Sequence, residues 1–369
     1  MEDQVLYQKF EYGRVLATSQ THIRKTYPNF TIRMCACNSA LSGYPKICRL
    51  TMEDQLTVSQ QSMLEEVLEG LQQPQKQLSA KFFYDERGSE LFEQITYLDE
   101  YYPTRTERAI LQANIGDIAE VIGPEAMLVE LGSGSSSKTR LLLEKLPSLS
   151  AYVPVDISEE FLLKVVNQLR MEYPKISIIP VFADYTSRFE LPNLGGSYRK
   201  QVVFFPGSTI GNFRPDRVRE FLEMLASITD DDSAMLIGVD LKKDPAIIEK
   251  AYNDADGITA QFNKNMLVRL NRELDANFDI DSFRHDAFFN KEEGRIEMHL
   301  VSEKEQMVTI ADKEIHFEAG ESIHTENSYK YTQDEFKELV SDWYEVEQVW
   351  TDDQNYFSLQ YLTKKESTV

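Results

Sequence analysis

The stretch Val129-Glu130-Leu131-Gly132-Ser133-Gly134-Ser135-Ser136-Ser137-Lys138 places two glycines between an apolar run and a helical pattern. At such a strand-to-helix turn, backbone N–H groups can approach a ligand with no side chain in the way. The spacing is not a full dinucleotide fingerprint, because Ser137 stands at the third glycine position. Nor is it a phosphate-binding loop, because the lysine is wrongly spaced. By itself the Gly-x-Gly could equally be a tight turn. The next apolar run ends in Asp156, 22 residues after Gly134, where a carboxylate can accept both ribose hydroxyls of a nucleoside. A third run ends in Asp184, followed by Tyr185. Each acid alone could be a helix cap, but Glu130, Asp156 and Asp184 at successive strand ends suit an adenosine without phosphate. S-adenosylmethionine, a sulfonium cation, is the electrostatic match.

These residues need a sheet to hold them. Apolar runs at Ala126–Leu131, Ala151–Val155, Ile176–Phe182, Gln201–Phe205 and Ala234–Val239 alternate with helical patterns at 139–146, Glu159–Met171 and Pro215–Ile228. That is the rhythm of an α/β, doubly wound parallel sheet. Ahead of it, helical patterns cover 57–71, Gly88–Ile95 and, after a Tyr101–Arg105 turn, a single helix through Ile110, Leu111, Ile115 and Ile118. After it, 245–280 reads as helical, and Ile296–Val301, Met307–Ile310, Glu314–Phe317 and Ser322–Lys330 alternate as antiparallel strands. A helix at Thr332–Trp343 and strands at Val346–Thr351 and Tyr356–Leu362 close the pattern. The expected division is an extension over 1–56, a helical cap over 57–120, a core over 121–244 and 331–365, and an inserted substrate lobe over 245–330.

Composition narrows the partners. The chain has 369 residues and a net charge of −22, a field that repels phosphate backbones and anionic lipid. Nucleic acid and membrane are therefore not expected as partners, and no run is apolar and long enough to span a bilayer. Residues 1–51 are the exception, with seven basic and three acidic side chains. This segment reads as a poorly ordered or non-native extension, with Met52 as a candidate start. Cys35, Cys37 and Cys48 all lie there, in no zinc or disulfide spacing, which fits a reducing cytoplasm. With no signal-peptide pattern, the Asn29 sequon reads as chance. His285, His299, His316 and His324 show no helical ligand spacing, and no metal is expected.

Several further stretches, Phe83–Ser89, Glu100–Arg105, Phe205–Phe213, Ala251–Gly257 and Thr325–Lys330, carry a resemblance. Over about residues 60–365 the chain resembles the class I methyltransferases, and within them the histidine Nα-methyltransferases of ergothioneine biosynthesis. The resemblance implies a Rossmann-like core, a second substrate-binding lobe, and trimethylation of L-histidine to hercynine with S-adenosylmethionine as donor. It implies cofactor contacts at Gly132, Ser133, Gly134, Lys138, Asp156, Asp184 and Tyr185. It also implies amino-acid contacts at Tyr101, Asn212, Tyr252, Glu326 and Ser328, and places Tyr84 near the reacting amine.

The residue types agree. Asn212, in a glycine-rich turn after the fourth strand, can donate to a substrate carboxylate, and Tyr252 and Tyr101 can add hydroxyl donors. Glu326 and Ser328 are two apart, so on a strand they share a face and can serve the two nitrogens of an imidazole. Met298 would line the same region. Tyr84 would hydrogen-bond the amine, and tyrosine faces tolerate a growing methylammonium. The enzyme is expected to act as a monomer in the cytoplasm. Two alternatives stay open: methylation of another amino acid such as tryptophan, and a non-catalytic S-adenosylmethionine-binding protein.

Overall fold

The short apolar runs of the middle of the chain pair as strands buried on both faces, as strands must be when helices cover each side of a sheet. The computed structural model describes residues 24–27, 30–33, 57–134, 137–146 and 148–366. The chain divides into two compact units at Met63/Leu64. The expectation for residues 1–56 lies outside the described residues, apart from an antiparallel pair, β1 (Arg24–Tyr27) and β2 (Phe30–Arg33).

Helices α1 (Val58–Leu71), α2 (Glu86–Thr96), α3 (Tyr102–Ala113) and α4 (Ile115–Ile122) come first. Tyr101–Arg105 is thus not a turn but the start of α3, whose Pro103 sits where a helix needs no N–H donor. The helix expected to run through Ile118 breaks at Asn114. Next come β3 (Ala126–Leu131), α5 (Ser137–Lys145), β4 (Ala151–Asp156), α6 (Glu159–Glu172), β5 (Ser177–Ile178) and β6 (Val181–Phe182). β5 and β6 replace the single strand expected over Ile176–Phe182, because Pro180 lacks an N–H for the ladder. β7 (Lys200–Phe205), α7 (Pro215–Ile228) and β8 (Ala234–Asp240) complete the alternating part.

The 245–280 segment is two helices, α8 (Pro245–Tyr252) and α9 (Ile258–Glu273), not one. Between them Gly257 adopts φ +68°, and the Asp254 carboxylate accepts from Ile258 N at 2.7 Å and Thr259 N at 2.8 Å, restarting the helix. β9 (Phe283–Asn290), absent from the sequence expectation, pairs with β10 (Arg295–Ser302). Its charged Arg284 and Asp286 interrupt the apolar pattern that would have marked it. β11 (Gln306–Ile310) and β12 (Lys313–Phe317) form a hairpin, and β13 (Ser322–Tyr329) pairs with β10. The chain closes with α10 (Gln333–Val340), β14 (Tyr344–Thr351) and β15 (Phe357–Lys364).

The main sheet has the order β14-β15-β8-β7-β3-β4-β5, with β6 also on β4. β3, β4, β7 and β8 are parallel, whereas β15 runs antiparallel to β8, and β14 to β15. Alternate residues face opposite layers. Met127, Val129 and Leu131 pack towards Val218, Phe221 and Leu222 of α7. Leu128 packs on the other side with Ile110, Leu142 and Leu162. The chain winds outward from β3 through β4 in one direction and from β7 through β8 in the other. The carboxyl ends of β3 and β7 therefore border a crevice, the place where such sheets bind ligands. The 245–330 segment adds the smaller sheet β13-β10-β9 within the same compact unit.

Candidate functional site

On the cofactor side, Gly132, Ser133, Gly134, Asp156, Asp184 and Tyr185 sit at or just beyond carboxyl ends of strands, and Lys138 sits on α5. β3 runs into Gly132 (φ +68°) and Gly134 (φ +47°), both in the left-handed region that favours glycine. A Cβ on Gly132 would stand 3.4 Å from the Tyr185 ring, so that ring covers bare backbone. Asp156, closing β4, accepts from Gly134 N at 3.3 Å and from Ser158 N at 2.9 Å. Its burial raises its pKa against those bonds. Asp184, after β6, accepts from Thr186 N at 2.9 Å and lies 3.7 Å from the Lys81 ammonium. The Tyr185 ring packs edge-on against Phe205 at 5.7 Å, and burial pushes its phenol upward. Glu130, inside β3, receives the Tyr152 hydroxyl, and burial raises its pKa to about 7. It lines the same cavity as Gly132 and Asp156. Lys138 on α5 pairs with the buried Glu107 of α3.

The amino-acid side is assembled from the turn after β7, the start of α3, the end of α8, the segment before α2, and strands β10 and β13. After β7 the chain turns through Gly207 and Ser208 into a short 3-10 turn ending at Asn212. Gly211 in that turn lies against β13 so closely that a Cβ would stand 2.7 Å from the Tyr329 carbonyl. Tyr101 starts α3 and Tyr252 ends α8, and their rings meet edge-on at 6.2 Å. Tyr84 packs edge-on against Phe92 and Phe262, each at 5.8 Å. On β13, Glu326 stands opposite Met298 of β10, and Ser328 opposite Ile296, so all four share one face.

One cavity of about 810 Å³ joins the two sides. It is lined by Tyr84, Tyr101, Gly132, Ser133, Gly134, Lys138, Asp156, Asp184, Tyr185, Asn212 and Glu326. Tyr252, Met298 and Ser328 are not among its lining residues and stand behind them, each less than a tenth exposed. There the neighbouring Ser328 hydroxyl opposes the rise that burial imposes on the Tyr252 phenol. Burial pushes the Tyr84, Tyr101 and Tyr252 phenols well upward, with the Glu326 charge adding to the rise. All three are neutral donors. Burial also lifts Glu326 to about 7, opposed by the Lys330 charge.

Behind this wall lies a polar cluster that the sequence reading missed. Asp240, at the end of β8, is 2.8 Å from Lys330 Nζ and accepts from the Tyr102 hydroxyl at 2.7 Å. Burial would raise its pKa, but Lys330 and Lys243 outweigh it and hold the carboxyl low. Lys243, in turn, is lowered to about 8 by burial. Glu107 was also missed, although it sits one turn before Ile110 and Leu111 on the buried face of α3. A charge at such a position was a readable signal. Lys330 had one too, two residues beyond Ser328.

Among the described residues, one group gathers metal-ligand types: Glu297, His299 and His324, on neighbouring strands. Neither spacing along the chain nor the alternating strand pattern brings these three together. The His299 and His324 rings stack 4.6 Å apart at 12°, so their in-plane lone pairs run side by side instead of converging. Their hydrogen bonds also go to protein groups. His324 Nε2 donates to the Glu326 carbonyl at 3.0 Å, and Glu297 receives Asn290 at 2.9 Å and Arg295 at 2.7 Å. His285 donates from Nε2 to the Tyr252 carbonyl at 2.9 Å, fixing the end of α8. His316 pairs with Glu305 at the surface.

Residues 63–364 match the family described as histidine-specific methyltransferase, SAM-dependent. A histidine N-alpha-methyltransferase of Mycobacterium tuberculosis is 41% identical over 306 residues, which cover 81% of this chain and 94% of that protein. Ergothioneine biosynthesis protein 1 of Neurospora crassa is 32% identical over 273 residues, 72% of this chain and 31% of that one. A 4-dimethylallyltryptophan N-methyltransferase of Aspergillus fumigatus is 28% identical over 309 residues, 79% of this chain and 90% of that protein.

Proposed function

Because this chain belongs to the histidine-specific, S-adenosylmethionine-dependent methyltransferases, we propose that it trimethylates the α-amino group of L-histidine to hercynine, the first step of ergothioneine biosynthesis. The observation that carries this reading is that Glu326 and Asn212 open onto the same cavity as Asp156 and the Gly132–Gly134 turn. The residues suit the donor: backbone free of side chains at Gly132 and Gly134, a carboxylate at the end of β4 for ribose hydroxyls, and acids around a cation. When bound, S-adenosylmethionine supplies an electrophilic methyl group.

The protein's part is placement and desolvation. Asn212 and Tyr101 hold the histidine carboxylate with neutral donors, backed by the buried Tyr252. Glu326 accepts one imidazole N–H, and the buried Ser328 completes the other nitrogen where the ring reaches past the lining residues. An indole in that place would offer a single N–H donor. Tyr84, a neutral phenol, hydrogen-bonds the amine directly or through water and is no strong base, so the ammonium proton leaves to solvent. The Tyr84, Tyr101 and Tyr252 rings accommodate the cationic product. Three transfers exhaust the nitrogen's bonding capacity, so the reaction stops at the betaine for a chemical reason.

We read the enzyme as a cytoplasmic monomer, and its charge of −22 argues against nucleic acid and anionic membrane as partners. No helix among the described residues is long and apolar enough to cross a bilayer. The test is Glu326→Ala, which removes a charge-assisted hydrogen bond worth about 1.5–3 kcal/mol and so raises the histidine KM roughly ten- to a hundredfold. S-adenosylhomocysteine binding stays unchanged. An unaltered histidine KM would refute the imidazole assignment.

A further inference from the structure

Ser328 can in principle accept or donate, and what it does decides which form of an imidazole the site takes. The structure constrains it. Lys330, 1% exposed at the end of β13, donates to Ser328 Oγ at 2.7 Å and sits 2.8 Å from Asp240 Oδ2. Its ammonium also lies 5.4 Å from the centroid of the Tyr252 ring. An ammonium only donates, so a lone pair of Ser328 is taken from behind by a side chain that is itself anchored. The hydroxyl proton must then point away from Lys330, and a second cation brought to Ser328 would meet the Lys330 charge directly behind it.

We propose that Lys330 is a positioning residue that fixes Ser328 as a hydrogen-bond donor, so that the site selects the neutral imidazole ring. The inference rests on the reading that Glu326 and Ser328 hold that ring. A neutral imidazole has one N–H, for Glu326, and one bare nitrogen, for the Ser328 proton. An imidazolium has two N–H groups, and its second would meet the Ser328 proton with the Lys330 charge immediately behind. Asp240 does the anchoring, held in turn by Lys243 and Tyr102. The other groups near this point are Glu326 on β13, Tyr252 on α8 and, beside them, Tyr101 at the start of α3.

The test compares histidine with 2-fluorohistidine, whose fluorine keeps the ring neutral across the working range. Both are titrated by calorimetry against the protein saturated with S-adenosylhomocysteine, from pH 7.5 to 5.5. The ratio of the two dissociation constants cancels the titration of Glu326 and of the α-ammonium and isolates the ring. In the wild type the ratio of histidine to 2-fluorohistidine dissociation constants rises about tenfold as histidine's ring protonates near pH 6.5. In Lys330→Met it stays flat within about twofold, and Lys330→Arg, which keeps a cationic donor, restores the rise. A flat wild-type ratio, or the same rise in Lys330→Met, overturns the proposal. If Lys330→Met does not fold, the wild-type ratio alone decides. Ser328→Ala separates the underlying reading: unchanged histidine affinity at pH 7.5 shows that Ser328 does not hold the ring, and the proposal falls with it.

Discussion

Glu107 on α3 pairs with Lys138 on α5 while both oxygens of its carboxylate accept from the Gly207 N–H, at 2.9 and 3.0 Å. Glu107 is 1% exposed, so this is a buried tie among three elements. It joins the N-terminal helices, the helix that follows the glycine loop, and the turn that carries Asn212.

Glu107→Ala should therefore cost more than a surface ion pair. It leaves Lys138 without its buried partner and is expected to destabilise the fold by about 3 kcal/mol. Affinity for S-adenosylhomocysteine and for histidine should fall together. Glu107→Gln, which still accepts from Gly207, should lose less of the histidine affinity. Calorimetric titration of each ligand checks this, and full histidine affinity in Glu107→Ala would break the link between the two sides.

Gly238 on β8 offers an approach to the same tie from the sheet. A Cβ there would stand 2.1 Å from Glu107 Oε1 and 3.1 Å from the Phe357 ring. Gly238→Ala is thus expected to push Glu107 off Lys138 and Gly207 and to reproduce the ligand-binding losses of Glu107→Ala. A variant with wild-type affinities would show that the carboxylate can move aside freely.

A pH effect follows from Glu326. Burial raises its pKa from 4.5 to about 7, so between these values the native state keeps a proton that the unfolded chain has released. Its contribution to stability therefore declines as pH rises through that window, and the full penalty stands above pH 7. Glu326→Gln should stabilise the fold by up to about 3 kcal/mol at pH 8 and by little at pH 4. Urea unfolding at both values measures it; destabilisation at pH 8 would contradict the assigned burial cost.

Tyr84 carries a milder expectation. Its phenol is pushed well above its ordinary value, so it acts as a neutral hydrogen-bonding group. Tyr84→Phe removes one bond of about 1–1.5 kcal/mol and should lower kcat roughly tenfold. A loss of a thousandfold or more would assign Tyr84 the proton itself.

The sheet was legible because its evidence is local. Ala126–Leu131 and Pro215–Ile228 coincide with the expected strand and helix, since apolar runs and helical periodicity are written in consecutive residues. β9 was not, because its outward positions carry Arg284 and Asp286 and its pairing with β10 supplies what its pattern lacks. The same distinction holds in the site. Gly132, Asp156 and Asp184 could be read from their places at strand ends. Asn212, Tyr252 and Glu326 came from the resemblance and from chemistry consistent with it. The anchoring of Lys330 by Asp240 could not be read, because those residues meet only when β8 and β13 fold together. A buried charge at a strand end such as Asp240, satisfied by partners distant in sequence, leaves almost no trace in local sequence.

The measurement closest to the central claim is to incubate the purified protein with S-adenosylmethionine and an equimolar mixture of amino acids and to follow methyl increments by mass spectrometry. The account predicts that histidine alone gains methyl groups and ends with three on its α-nitrogen. Consumption of tryptophan or another amino acid in place of histidine, or no methylation by protein that binds the donor, would contradict it.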